Sequence, residues 1–118
     1  MINAALVQGD VILTAPRTGL GTDYFRIDGT VVVPSSRTMT LENAELRLSA
    51  GAARNVSRNA RQNAAGDSGI TLIGRGRANI DGQAALQTST SAINSIGVSW
   101  VNVTNLVVQD VTIGPCMV

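Results

Sequence analysis

Three segments of the chain can be aligned with one another, and this repetition constrains the fold more than any single residue does. They cover residues 39–46, 70–80 and 106–113, and each contains a short strand-forming stretch, a turn residue and a second short stretch. The turn residues are Asn43, Gly74 and Asp110, types that adopt the left-handed backbone conformation at little steric cost. The middle segment carries three additional residues, 75–77, at that point. Strand, turn and strand repeated along a chain predict a β-solenoid.

The repeats also predict how one domain, spanning residues 1–118, is organised. Residues 1–22 are expected to form an entry region, in which the helix formers of residues 2–8 cover one end of the solenoid. Residues 23–118 are expected to form the coils. Residues 25–33 begin too close to residue 39 for a full three-sided coil, so the register of the first coil stays open. No C-terminal helix follows residue 113, which predicts an uncapped last coil that is either cut or covered by another molecule.

Composition excludes several classes of function. Aromatic residues make up 3% of the chain, so its core is expected to be aliphatic, and the net charge is only +1. The scattered Arg residues have no aromatic partners, which argues against nucleic acid binding. The absence of His removes Ser-His-Asp systems and most zinc sites. The single cysteine, Cys116, is interpreted as an inert small hydrophobe. No metal or cofactor is predicted.

Targeting and membrane signals are missing from the sequence. No apolar run approaches the roughly 18 residues needed to cross a membrane. The N-terminus lacks the basic start and hydrophobic stretch of a secretion signal. The localisation therefore stays open: the chain as it stands is expected to be cytoplasmic, and a truncated one is expected to be secreted or associated with a virion.

Several short segments along the chain resemble the sequences of one known group of proteins. They lie at residues 24–35, 38–48, 55–59, 69–76, 78–82, 100–106 and 110–113. In their order and spacing they are similar to the N-terminal part of the pectin lyase-like superfamily, and most closely to the polygalacturonase family of glycoside hydrolases. The resemblance covers nearly the whole chain. It implies an all-β fold, a right-handed parallel β-helix of few coils, that works on acidic or complex polysaccharides.

The catalytic residues of that family are not found here. Its members carry catalytic carboxylates on later coils, in Asn-Thr-Asp, Asp-Asp and Gly-His-Gly stretches, and none of the three occurs in this sequence. An inverting glycosidase needs two carboxylates about 6.5–9.5 Å apart. The available acids are Asp10, Asp23, Asp28, Glu42, Glu45, Asp67, Asp81 and Asp110. Those at turns are interpreted as backbone-bonding residues. We therefore expect no catalytic residue, and whether the chain belongs to an enzyme stays open.

Three residues are weak candidates for substrate binding. Arg75 and Arg77 would place two cations on one loop, where they could meet a uronic acid carboxylate, although a solvated loop is the plainer interpretation. Trp100 is the only tryptophan, and it is expected to lie in the core or an interface more often than to serve as a sugar platform.

Three functional interpretations follow. The chain is the N-terminal portion of a polysaccharide-degrading protein, inactive alone, or a structural module of the tailspike kind, or a non-catalytic carbohydrate-binding module. The expected partners are a polysaccharide, from the resemblance, and further copies of the chain that meet the open coil ends. The sequence identifies neither the sugar nor the oligomeric state.

Overall fold

The computed structural model describes residues 2–14, 24–52, 54–87 and 97–114. Helix α1 (Ile2–Gln8), at the position where the sequence favours a helix, comes first. The strands are β1 (Val11–Thr14), β2 (Tyr24–Ile27), β3 (Val31–Val33), β4 (Thr38–Leu48), β5 (Ser57–Asn59), β6 (Asp67–Asp81), β7 (Val98–Ser99), β8 (Val103–Gln109) and β9 (Thr112–Ile113). A short 3-10 helix (Ala84–Leu86) follows β6. Cys116 and residues 15–23, which connect β1 and β2 in the sequence, lie outside the described residues.

The described strands form two parallel sheets. The larger has six strands, in the order β1-β4-β6-β8, with β2 also paired to β4 and β9 also paired to β6. The smaller has the order β3-β5-β7. The three aligned segments lie side by side in the larger sheet, where Thr40 is opposite Ile73 and Ile73 is opposite Gln109. The sequence repeat therefore corresponds to the pairing of β4, β6 and β8.

This architecture corrects the predicted fold class. An all-β right-handed parallel β-helix is wrong for this structure, which is a small mixed α/β fold with parallel sheets and shows no such β-helix among its described residues. Helix α1 belongs to the core, since its Leu6 is fully buried. The repeated pattern specifies which strands pair, but it does not specify the connecting segments. The six-stranded sheet also departs from one strand per repeat, because β1 and β2 both pair along β4.

The core is aliphatic, as the composition predicts. Its buried members are Leu, Ile, Val, Met and Ala side chains. They alternate with outward residues along β4 and β6, because successive side chains of a strand point to opposite faces. The register stacks them into ladders across the sheet, such as Met39 beside Leu72, and the exposed Val108 continues this ladder on β8. Stacking of this kind keeps like side chains in contact from strand to strand.

The turn between the two halves of each aligned segment differs in one respect from the prediction. Asn43 and Asp110 have positive φ, at 47° and 57°, but Gly74 does not, and the left-handed residue of β6 is Gly76 (φ 66°). The inserted residues move the turn by two positions. Gly74 serves a different purpose: a Cβ there would overlap the carbonyl oxygen of Asp110 and come within 2.7 Å of the Ala78 Cβ. The missing side chain therefore permits the close approach of two backbones.

Candidate functional site

The outer face of the six-stranded sheet collects polar side chains, and we call it the polar face. Along β6, Arg77, Asn79 and Asp81 alternate with the buried Ala78 and Ile80, so they point away from the core. The polar face comprises Tyr24 and Arg26 on β2, Glu42, Glu45 and Arg47 on β4, and Arg75, Arg77, Asn79 and Asp81 on β6.

Strand register arranges part of this face in rows. Tyr24, Glu45 and Asn79 are consecutive partners across three strands, and Arg47 lies opposite Asp81 in the next outward row. Parallel pairing brings such side chains within contact distance of one another. The polar face is therefore a connected group of side chains rather than a scatter of surface residues.

Glu45 lies at the centre of these rows and is buried although it is charged. Its Oε2 accepts hydrogen bonds from Arg47, with Nε at 2.7 Å and Nη2 at 2.5 Å. Its Oε1 accepts a longer bond from Asn79 Nδ2, at 3.4 Å. The Arg47 guanidinium also lies 3.7 Å from Asp81 Oδ2. One cation therefore contacts two carboxylates, and the buried Glu45 has the charged partner that a buried charge usually requires.

Tyr24 covers the same guanidinium from the other side. Arg47 lies 3.9 Å from the centroid of the Tyr24 ring, in a cation–π contact. A cavity of about 250 Å³ adjoins them, lined by Tyr24, Arg26, Arg47, Ser49, Ala50 and Gln83. This cavity is the recessed part of the polar face.

This arrangement does not resemble an acid–base pair. A general acid or base must reach the group whose proton it transfers, but Glu45 is buried under Arg47 and Asn79, and Asp81 contacts the same guanidinium. Across the residues that the structure describes, no cluster of His, Cys, Asp and Glu is suited to a metal ion. The polar face can therefore bind a ligand through hydrogen bonds and charge, and the exposed Glu42 is its one carboxylate that Arg47 does not engage.

Arg75 and Arg77 lie at the inserted turn of β6 with their charged ends in solvent. Arg75 Nη1 is 4.0 Å from Glu42 Oε2, and both side chains are well exposed, at 61% and 41%, so this pair contributes little stability. The backbone N–H of Arg77 donates to Asn43 Oδ1 at 3.2 Å. Its guanidinium makes no ion pair or hydrogen bond with any residue that the structure describes. The turn therefore holds two cations that lack strong internal partners.

Trp100 lies elsewhere. It follows β7 of the three-stranded sheet, is half-buried, and packs against the core. Its Nε1 is buried, and no described residue accepts a hydrogen bond from it. Trp100 therefore does not lie with Arg75 and Arg77, which are on β6 of the larger sheet.

A second polar group, which sequence reasoning missed, surrounds the buried Asp67. Its Oδ2 accepts hydrogen bonds from the Arg61 backbone N–H at 2.6 Å and from Asn59 Nδ2 at 2.9 Å, and its Oδ1 accepts one from Ser35 Oγ at 2.8 Å. Burial raises the pKa of Asp67, but these hydrogen bonds outweigh it, so the pKa lies below its usual value. Asn59 also bonds both backbone polar groups of Val101. The network ties three segments of the chain together.

The Asp67 network borders a groove of about 480 Å³. Both carboxylate oxygens already have donors within the protein, so the network holds the fold together rather than presenting a free ligand group. In the sequence, Asn59 and Asp67 bound a polar stretch that looks like a solvated loop. Nothing in that pattern distinguishes them from surface residues.

Comparisons with known proteins do not assign this chain to a family. No family model, no curated protein and no solved structure matches it. In the parts of the chain that the structure describes, no helix has the length and apolar character needed to span a bilayer. The assignment of function therefore depends on the residues themselves.

Proposed function

We propose that this chain binds an acidic polysaccharide on the polar face and does not cleave it. The observation that supports this best is the exposure of Arg75 and Arg77 without strong internal partners, on the same strand as Asn79. Guanidinium groups bind carboxylates in a planar, two-pronged geometry, and every uronic acid unit carries one carboxylate. The resemblance of the sequence to the polygalacturonase family favours the same class of ligand.

The spacing of the polar face suits an extended ligand. Outward side chains two residues apart on a strand are separated by about 6.6 Å, so a chain lying along β6 meets Arg77, Asn79 and Asp81 in turn. An amide such as that of Asn79 both donates and accepts hydrogen bonds, which suits sugar hydroxyls. The exposed Tyr24 ring supplies an apolar surface beside them.

The lack of cleavage follows from the pairing of the carboxylates. Hydrolysis by inversion needs one carboxyl to give a proton and another to activate water. Glu45 and Asp81 are both engaged by Arg47, and separating Glu45 from it would leave a buried charge unpaired. The exposed Glu42 is then a single carboxylate on the polar face, whereas inversion needs two. We expect incubation with polygalacturonate to release neither reducing ends nor unsaturated products. Release of either by the purified chain would contradict the proposal.

Binding can be tested by calorimetric titration with a short oligogalacturonate. The double variant R75A/R77A should weaken binding by about tenfold or more, because each charge-assisted hydrogen bond contributes roughly 1.5–3 kcal/mol. The matched control R54A/R58A removes the same number of cations from the region of β5, in the other sheet. The fully methyl-esterified oligosaccharide, which lacks the charges, should bind the wild-type protein as weakly as the double variant binds the acid form.

Two results would count against this function. An equal loss of affinity in R54A/R58A would mean that net charge, and not the polar face, attracts the ligand. Equal binding of the esterified and acid forms would mean that carboxylates are not recognised.

A structural role is the second candidate, favoured by a different observation. Three apolar side chains on the core side of the last strands are exposed: Leu106, Val108 and Ile113. Exposure of this kind is expected for a surface that contacts another protein. A chain that self-associates but binds no saccharide would support this candidate over the first.

A further inference from the structure

The core ladders end with exposed side chains at β8 and β9. Leu72 and Ile80 on β6 are fully buried, but their partners Val108 and Ile113 are each 43% exposed, and Leu106 beside them is 36% exposed. These three residues and the outer backbone edge of β8 are called the open end. In the described sheet β8 is the last strand of its path, so its outer N–H and C=O groups pair with no strand there. An edge of this kind is a template for pairing with another strand.

The opposite end of the core is closed. The interior residues Leu13 and Ile27, on the strands at that end, are 8% and 7% exposed. Helix α1 lies there, with Leu6 buried, and Arg37 holds its last turn by donating to the carbonyl oxygens of Leu6 at 2.7 Å and Val7 at 3.0 Å. The α1 end therefore offers no exposed core side chains of Leu13 or Ile27 to the open end of another copy, which disfavours head-to-tail stacking.

The charge of the open end restricts what can cover it. Within residues 97–114 Asp110 is the only charged residue, so a charged partner gains no attraction and would lose hydration on docking. A complementary surface must be apolar, nearly uncharged, and able to supply an unpaired strand edge. The open end of a second copy has all three properties.

We propose that two copies of this chain associate through their open ends, with β8 pairing antiparallel to β8 of the partner about a two-fold axis at Leu106. Leu106 is the midpoint of β8, so this register pairs the whole strand. A two-fold interface uses the same surface on both subunits and closes on itself. Because each copy uses its one open end in this interface, the assembly stops at two.

The molar mass in solution tests this directly. Light scattering behind a size-exclusion column should give twice the 12.2 kDa of one chain, falling towards a single chain only on dilution. A single-chain mass at the highest concentration would overturn the proposal. Aggregates without a fixed size would overturn it as well, since they would mean that the exposed edge does not close.

Matched variants locate the interface. Leu106→Lys places a charge on the core side of the open end and should give a monomer, because inward-pointing edge charges block strand pairing. Val107→Lys adds the same charge on the same strand, but on the opposite face, and should stay dimeric. A dimeric L106K would overturn the assignment of the interface. So would a monomeric V107K alongside a monomeric L106K, because the effect would then not depend on the face of the strand.

A cross-link keeps the test independent of the stability of L106K. Residues directly opposite in an antiparallel pair have Cβ atoms about 4.5–5.5 Å apart, close to the separation found in disulfides. In a Cys116→Ser background, Leu106→Cys should form a covalent dimer under mild oxidation, whereas Val7→Cys, at an exposed position of α1, should not. Equal cross-linking of the two variants would contradict the two-fold pairing at Leu106.

Discussion

Replacing Asp67 tests whether the buried network around it holds the fold together. In the variant Asp67→Asn the amide can keep the donors of Arg61 and Asn59 on its oxygen and turn its NH₂ group towards Ser35 Oγ. What is lost is the negative charge that all three donors share. The variant therefore separates the contribution of charge from that of shape.

The magnitude follows from the number and kind of hydrogen bonds. Bonds to a charged group contribute roughly 1.5–3 kcal/mol and neutral ones about 1 kcal/mol, while the neutral amide is cheaper to bury than a carboxylate. With three bonds weakened and less desolvation, we expect Asp67→Asn to lower the free energy of unfolding by about 2 kcal/mol. Asp67→Ala, which removes the acceptor of one backbone and two side-chain donors, should cost about twice as much.

The stabilisation that Asp67 provides should depend on pH in a definite direction. The pKa of Asp67 is lower in the folded than in the unfolded state, so its contribution is present above the unfolded pKa of about 3.9 and is lost as pH falls through the folded pKa. The difference in unfolding free energy between wild type and Asp67→Asn should therefore be full at pH 7 and shrink below about pH 4.

Urea unfolding at a series of pH values measures both quantities. Asp28→Asn is the control, since the Asp28 side chain is 82% exposed and the amide oxygen can still accept from Ser49 Oγ, and it should change the unfolding free energy by less than about 0.5 kcal/mol. A loss for Asp67→Asn no larger than that of the control, or one that stays constant down to pH 3, would refute the reasoning.

Two further substitutions test the turn and the polar face. Gly76→Ala should lower the free energy of unfolding by about 2–3 kcal/mol in urea unfolding, because Gly76 has φ 66° and the new Cβ would overlap the side chain of Asn43. Gly51→Ala is the control: Gly51 has φ 73° but open space around it, so only the backbone cost of about 1 kcal/mol should be lost. Equal losses would mean that Asn43 moves aside freely. Glu45→Gln should lower the free energy of unfolding by about 1–2 kcal/mol, because Arg47 loses its closest carboxylate and keeps the one at 3.7 Å; an unchanged midpoint would mean that solvent replaces the pair.

Strand pairing was the most predictable part of this fold. The alignment of residues 39–46, 70–80 and 106–113 identifies segments that do lie side by side, because similar alternation and a similar turn let their side chains stack in register. The turn itself was misplaced in β6, at Gly74 instead of Gly76. Both glycines are small, and only the structure shows that one gives a positive φ and the other a close backbone approach.

The repeat pattern of the sequence could not predict the fold class or the polar networks. An alignment of repeats says nothing of how α1, β1 and β2 are arranged around β4, so the β-helix prediction failed there. Asp67 and Glu45 read as ordinary acids in the sequence, because their partners come from distant segments: Ser35 for Asp67, and Asn79 for Glu45. The exposure of Arg75 and Arg77 agrees with the solvated loop weighed from the sequence, and their role as ligands stays a proposal.

The most direct test of the proposed function is a two-dimensional NMR titration of the chain with a short oligogalacturonate. If the ligand binds on the polar face, amide shifts should change along residues 75–81 of β6 and in β2, and the changes should disappear in R75A/R77A but persist in R54A/R58A. Shift changes confined to the groove beside Asp67, or none at saturating ligand, would contradict the account.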